Sequence, residues 1–432
     1  MTVDRLKRRL PIATAFAGMI AALIALTAGL VSAQTPAPVQ TSTPVPAASP
    51  DGLSFEQVYE LAARDNLHIN AIRRHRAVAE AGVLIAGERP NPDLISGYTR
   101  SEPRLNVSVS QPIETAGKRG KRLAVARNEL LLSELELDAA LRTLRRDLRG
   151  AYFNLALTKN RLGLGRQAVA QAQVLADIAQ ERFDAGDIAQ FEVLQAKLEV
   201  ARATNELSKL ENNERVALAT VNQLLNRPPQ APLDLQQSLF GSRTNVSVPV
   251  LIEHSLSENV ELRTAAQQIA TEKSRLKLAR AQRIPDLLLE PGIETIDSSL
   301  ANNYGVKMQV TVSLPIFNRG RGEIARSNAL IDQLTAERDD TRQRISAEIG
   351  QFALKLDSAR EQVEFYETKL LPDAERVRAM AVEAYRAGQT GILPVQDAER
   401  NAREVKQAYL QALFDYQSAL ADLEQAAGVK LN

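Results

Sequence analysis

From about Leu53 onward the apolar positions follow two alternating periods. Ser54 to Arg89 carries Val58, Leu61, Ala62, Ile69, Ile72 and Val78 at helical spacing, and Pro90 and Pro92 stop the pattern. The period then falls to two, with Leu105, Val107 and Val109 alternating with Asn106, Ser108 and Ser110. After Gly117 a helical pattern resumes and runs without proline to about Phe183, its Leu137, Leu141, Leu144, Leu148, Tyr152 and Leu155 falling three and four apart. Roughly 65 residues at about 1.5 Å each make a rod near 100 Å, far longer than a globular helix. Alanine fills many intervening positions, which suits close helix packing in a coiled coil or helical tube. Gly163 and Gly165 weaken the rod in its middle, as a bend or as a costly but tolerated pair of residues. At Ala185-Gly186-Asp187 the glycine allows the positive φ of a helix reversal.

This grammar is written twice. Asn66-Leu67-His68-Ile69 corresponds to Asn259-Val260-Glu261-Leu262, and Pro92-Asp93-Leu94 to Pro285-Asp286-Leu287, both at an offset of 193. Val107 to Ile113 (VSVSQPI) mirrors Val310 to Ile316 (VTVSLPI) at 203, and Phe183-Asp-Ala-Gly186 mirrors Tyr385-Arg-Ala-Gly388 at 202. The growing offset places a longer hairpin loop in the second half. Copies of about 200 residues exceed a solenoid unit and indicate a duplicated domain. The second rod spans about Gly320 to Arg386 with only Pro372 interrupting, and it reverses at Ala387-Gly388-Gln389-Thr390-Gly391.

Four strands are expected, near Asp93 to Arg100, Arg104 to Pro112, Asp286 to Ile296 and Tyr304 to Leu314. The last alternates Tyr304, Val306, Met308, Val310, Val312 and Leu314 with Gly305, Lys307, Gln309, Thr311 and Ser313. Such alternation has two readings: a soluble sheet with one buried face, or barrel strands greasy toward lipid and polar toward a lumen. Each hairpin stands between long helices, and a two-stranded hairpin is not stable alone, which favours the barrel. Four strands cannot close one, because the smallest bacterial barrels have about eight. The barrel reading therefore predicts an oligomer.

Composition narrows the chemistry. The 432 residues include no Cys and no Trp, which excludes disulfides, thiolate metal sites and a cysteine nucleophile. Lys+Arg 53 against Asp+Glu 52 leaves no excess for polyanions, so nucleic acid is not an expected partner. Arg5, Lys7, Arg8 and Arg9, an apolar run from Ile12 to Val31, and Val31-Ser32-Ala33 before Gln34 make a signal peptide with its cleavage site. No later apolar run reaches eighteen residues. The expected organisation is a signal peptide over 1–33, a Pro-rich disordered leader over 34–52, and a first repeat over 53–230. That repeat holds strands about 93–112, a long helix about 117–183 and a helix about 188–226. A linker over 231–247 leads to a second repeat over 248–432, with strands about 286–314, a long helix about 320–386 and a helix about 392–427.

The duplicated order of helix, hairpin, long helix and helix resembles the TolC family of outer-membrane efflux factors. So do Phe183-x-x-Gly186 and Tyr385-x-x-Gly388 with Val193 and Val395 following, and Ser110-Gln111-Pro112 before the first rod. The resemblance covers nearly the whole mature chain. It implies a mainly α fold with a small β part: a homotrimer whose chains share a 12-stranded transmembrane β-barrel above a long α-helical periplasmic tube. It also implies a periplasmic adaptor and an inner-membrane pump of the resistance-nodulation-division type as partners, with outer-membrane lipid around the barrel. Ser110 to Arg119 (SQPIETAGKR) looks most like the branch serving heavy-metal efflux of the cobalt, zinc and cadmium kind. The expected role is thus a passive exit duct, with multidrug or type I secretion ducts as the alternative. A periplasmic coiled-coil adaptor and an envelope scaffold are remoter.

The family places acids just after the reversals, at the narrowest point of the tube; Glu192 and Asp397 hold those positions here. A ring of carboxylates at a constriction favours cations. Thr390 stands where a gate arginine can occur and Pro394 where another acid can occur, so an ion-pair lock through them is not expected. Phe183, Gly186, Asp187, Tyr385, Gly388 and Gln389 are the candidate adaptor contacts, being at the tips. Lys118, Arg119, Lys121 and Arg122 are expected where barrel becomes helix. His68, His75 and His254 lack the paired spacing of a zinc helix, and no Gly-rich phosphate loop or Gly-x-Ser-x-Gly occurs. Neither enzyme activity, cofactor nor resident metal is expected.

Overall fold

The computed structural model describes residues 52–98, 100, 105–236, 247–297 and 303–431. The expected signal peptide, nearly all of the leader and much of the linker lie outside them, as does Arg104.

Each copy opens with two helices where the apolar pattern suggested one. Helix α1 (Phe55–Asp65) starts at a capping box in which the Ser54 amide donates to Gln57 Oε1 at 2.9 Å. It ends at Asn66, whose extended backbone breaks the helix while its Oδ1 accepts from the His68 and Ile69 amides to start α2 (Leu67–Gly87). In the second copy Asn259 separates α5 (Val248–Glu258) from α6 (Val260–Gln282) in the same way. Both asparagines are buried, and each donates from Nδ2 at 2.9 Å to a carbonyl at the end of its own copy's last helix, Leu224 for one and Ala426 for the other. The paired Asn landmark of the sequence is a duplicated staple.

Strands β1 (Asp93–Tyr98), β2 (Leu105–Ile113), β3 (Leu287–Asp297) and β4 (Asn303–Val312) form one antiparallel sheet in chain order. The two hairpins are joined by β2 against β3, with Val107 opposite Ile293 and Ile113 opposite Leu287. The register and the two-residue alternation put Leu94, Val107, Val109, Leu289, Ile293, Val306, Met308 and Val310 on one face. Asn106, Ser108, Glu290, Glu294, Lys307, Gln309 and Thr311 share the other. Val306 is 89% exposed and Met308 68%, so no helix among the described residues covers the apolar face at these positions. The outer edges of β1 and β4 have no partner strand among the described residues. No helix among the described residues is long and apolar enough to cross a membrane.

Helix α3 (Lys118–Asp184) is a single element of 67 residues, about 100 Å long. The helix runs unbroken through Gly163 and Gly165. Gly165 is instead a contact point: a Cβ there would stand 2.7 Å from a Leu210 methyl on α4 (Gln190–Leu224), so glycine lets the two rods approach. The second rod is α7 (Arg321–Phe365), a π-helical turn over Tyr366–Leu370, and α8 (Leu371–Arg386). Pro372 lacks an amide proton and its ring crowds the carbonyl four residues back, and the wider turn ahead of it lets the helix continue. Helix α9 (Ile392–Ala427) closes the chain. The main core gathers Leu148, Leu155, Val221, Ile345, Ile349 and Leu423 where α1, α3, α4, α5, α7 and α9 meet. There the Tyr152 hydroxyl donates to the Leu53 and Gln236 carbonyls at 3.0 and 3.2 Å, and burial pushes its pKa up to about 12.

Candidate gate at the helix reversals

The two reversals have the same backbone. At the end of α3, Gly186 has φ +85°, its amide donates to Phe183 O at 2.9 Å and the next amide, Asp187, to Arg182 O at 2.9 Å. At the end of α8, Gly388 has φ +73°, with Gly388 to Tyr385 O at 3.0 Å and Gln389 to Ala384 O at 2.9 Å. These paired bonds satisfy carbonyls that the helix leaves open and need the left-handed conformation glycine allows.

Below the reversals a second core packs Leu175, Ala176, Ala179, Val193, Ala196, Tyr385, Ile392 and Val395. The two copies therefore share one tip. Tyr385 is fully buried, with the Arg182 guanidinium 5.1 Å above its ring and Arg182 Nη1 donating to its carbonyl at 3.2 Å. Its ring is thus unavailable for adaptor contact, whereas Phe183, Gly186, Asp187, Gly388 and Gln389 are exposed.

The two acids differ. Glu192 is half-buried, its Oε2 shielded and unpartnered, and Tyr385 likewise has a hydroxyl without a hydrogen-bond partner. Burial pushes the Tyr385 pKa up, the Arg182 charge opposes this, and the Glu192 carboxylate adds to it. Asp397 lies on the exposed surface of α9, 3.8 Å from Arg400. Thr390 is half-buried in the second reversal. Sequence reasoning missed Phe191, Leu194 and Leu198, a stripe of exposed apolar residues on α4 beside the tip, and Leu393 on α9. Their three and four spacing was the available signal, masked by the buried set Val193 and Ala196 on the same helix.

Above the tip, Arg378 on α8 binds Glu375 on one side and Glu399 of α9 at 3.0 Å on the other, while Lys406 reaches Glu375 at 3.1 Å. Hydrogen bonding to Arg378, then to Lys406, holds the Glu375 carboxyl down at about 2 against burial. Among the described residues no cluster of His, Asp and Glu could hold a metal ion.

The chain matches the profile of outer membrane efflux proteins over residues 58–227 and 251–429, one stretch for each copy. It belongs to that family. It is 23% identical over 379 residues to the cobalt-zinc-cadmium resistance protein CzcC of Cupriavidus metallidurans, covering 87% of this chain and 90% of that protein. Over 373 residues it is 24% identical to the pyoverdine export outer membrane protein OpmQ of Pseudomonas aeruginosa, covering 82% and 75%. Its fold superposes on the CmeC outer membrane channel of Campylobacter jejuni with a TM-score of 0.71 at 16% identity, over 87% of this chain and 85% of that one. Family membership makes this chain an outer-membrane efflux channel and not an enzyme. The rods accordingly extend into the periplasm.

Proposed function

We propose that the chain forms the exit duct of a tripartite efflux pump, as a homotrimer whose four-stranded sheets close a twelve-stranded barrel, and that its cargo is heavy-metal cations. The amphipathic sheet with two open edges above rods of about 100 Å carries the duct reading. Closure through copies satisfies the edge amides and carbonyls, which a bilayer core cannot leave unpaired. The similarity to CzcC along most of both chains supports the metal cargo; the comparable similarity to OpmQ supports a second reading, pyoverdine export.

The chain does no chemistry on its cargo. An adaptor engages the exposed tips at Phe183, Gly186, Asp187, Gly388 and Gln389, and an inner-membrane pump of the resistance-nodulation-division type supplies the energy. Glu192 and Asp397 form the gate region, with Thr390 close by in the second reversal. The exposed Asp397 contributes a ring of three carboxylates at the constriction, while Glu192 moves with the Tyr385 core when the tips separate.

Planar-bilayer conductance of the purified mature protein, with its mass in detergent, tests the duct. A trimer with small cation-selective currents that rise and lose selectivity in Asp397→Ala is expected; a monomer that never inserts overturns it. Cobalt, zinc and cadmium tolerance in a strain lacking the gene tests the cargo. Restored pyoverdine export without restored metal tolerance selects the second reading.

A further inference from the structure

Where sheet gives way to helix, the two copies carry similar backbones and different charges. Gly117 and Gly320 both cap the following rod in the left-handed conformation, at φ +66° and +63°. In the first copy the four cations that open the rod are satisfied within the chain. Lys118 pairs with Asp286 at 2.8 Å, Arg122 with Glu114, Arg119 donates to Gly87 O at 2.5 Å, and Lys121 to Ala116 O.

The second copy leaves its cations open. Arg280 in the last turn of α6, Arg283 at its cap and Arg319 before α7 line, with Ile284 and Pro315, an open hollow of about 430 Å³. Among the described residues none of these three guanidiniums has an ion pair or a hydrogen bond. Gly320 lies against this arrangement: a Cβ there would meet the Arg283 stem at 3.3 Å. At the offset of 203, Phe317 replaces the Glu114 that neutralises Arg122 in the first copy, and it is 99% exposed. Leu314, Ile316 and Ile284 beside it are also exposed.

The hollow sits at the helix-side rim of the sheet, since β3 begins at Leu287 and β4 ends at Val312. In an outer-membrane barrel with periplasmic helices, that rim is level with the headgroups of the periplasm-facing leaflet. Arginine forks suit phosphate oxygens, and their apolar stems can lie along acyl chains. We propose that Arg280, Arg283 and Arg319 bind the phosphate of an anionic glycerophospholipid from that leaflet, with Leu314, Ile316 and Phe317 in its acyl region. One site per chain follows, because Lys118, Arg119, Lys121 and Arg122 at the first-copy junction already hold partners within the chain. The inference rests on the barrel reading.

Native mass spectrometry of the full mature protein, offered phosphatidylglycerol and phosphatidylcholine in equal amounts, tests it. A cation near an anionic headgroup layer contributes about fivefold in affinity, so three predict a preference for phosphatidylglycerol of at least about tenfold. The triple variant R280Q/R283Q/R319Q is expected to retain the two lipids within about twofold, and Arg119→Gln in the first copy to keep the preference. R280K/R283K/R319K retains the charge and most of the preference, which decides the matter should the glutamine variant fail to assemble. Equal retention by the wild type overturns the proposal, as does displacement of the lipid by inorganic phosphate. Loss of the oligomer in the triple variant, with no lipid on the wild type, assigns the surface to a second copy and also overturns it. A wild type that conducts in bilayers without lipid preference refutes this inference alone; one that never inserts refutes the barrel with it.

Discussion

Asn66 and Asn259 each do three jobs with one side chain: the residue ends one helix, its Oδ1 starts the next, and its Nδ2 ties that corner to a carbonyl 158 or 167 residues away. Alanine at either position removes a cap and strands a buried acceptor, at a cost of about 2–4 kcal/mol. Thermal or denaturant unfolding of the single variants should show losses of similar size, and a cost below about 0.5 kcal/mol would mean the corner is held by packing alone. The rod glycines separate just as cleanly. A Cβ on exposed Gly163 meets nothing within 4 Å, so Gly163→Ala should raise stability by about 0.5–1 kcal/mol through helix propensity. Gly165 faces the Leu210 methyl at 2.7 Å, and Gly165→Leu should lower stability by pushing α4 away from α3. Equal effects at both sites, in the same unfolding assay, would show that the inter-rod approach at Gly165 is unimportant.

Among the elements, α8 and α9 are held together beside the tip by the Arg378, Glu375, Glu399 and Lys406 network. The Glu375 carboxyl titrates at about 2 in the folded chain against 4.5 for the ordinary side chain. Its folded pKa is depressed, so its contribution is present in full above about 4.5 and is lost as pH falls toward 2. Glu375 is partly solvated, which screens the effect. Glu375→Gln should therefore flatten the acid limb of hydrogen-exchange protection in α8 between pH 5 and 2; an unchanged limb would assign it to other carboxylates. The elements themselves were largely legible in the sequence, because repeats, rods, strands and reversals all rest on local periodicity and on Gly and Pro placement. The split at Asn66 was hidden because α1 and α2 keep helical spacing across it. The joining of β2 to β3 was equally hidden, since strand period says nothing of which strands pair. For the gate, the positions of Glu192 and Asp397 along their helices were readable, but their unequal exposure was not: it depends on where the Tyr385 ring fills the shared tip.

For the whole molecule the deciding feature is the sheet, because the rods alone would serve an adaptor or a scaffold equally well. Met308 and Gln309 are neighbours midway along β4 and point to opposite faces, the first exposed among Val306 and Val310, the second on the side of Lys307 and Thr311. A cation on the lipid face near the bilayer midplane costs about 2–4 kcal/mol, whereas one facing a water-filled lumen costs little. Met308→Arg in each of three chains would repeat that cost around one barrel, while the periplasmic rods would feel neither change. The expected outcome is that Met308→Arg sharply reduces the heat-stable oligomer recovered from the outer-membrane fraction, while Gln309→Arg leaves its amount unchanged and alters its conductance. Equal tolerance of both would mean that the apolar face is not in lipid. Equal intolerance would mean that it is packed against protein on both sides. Only a difference of this sign is consistent with a chain that supplies part of a barrel wall and depends on its copies for the rest.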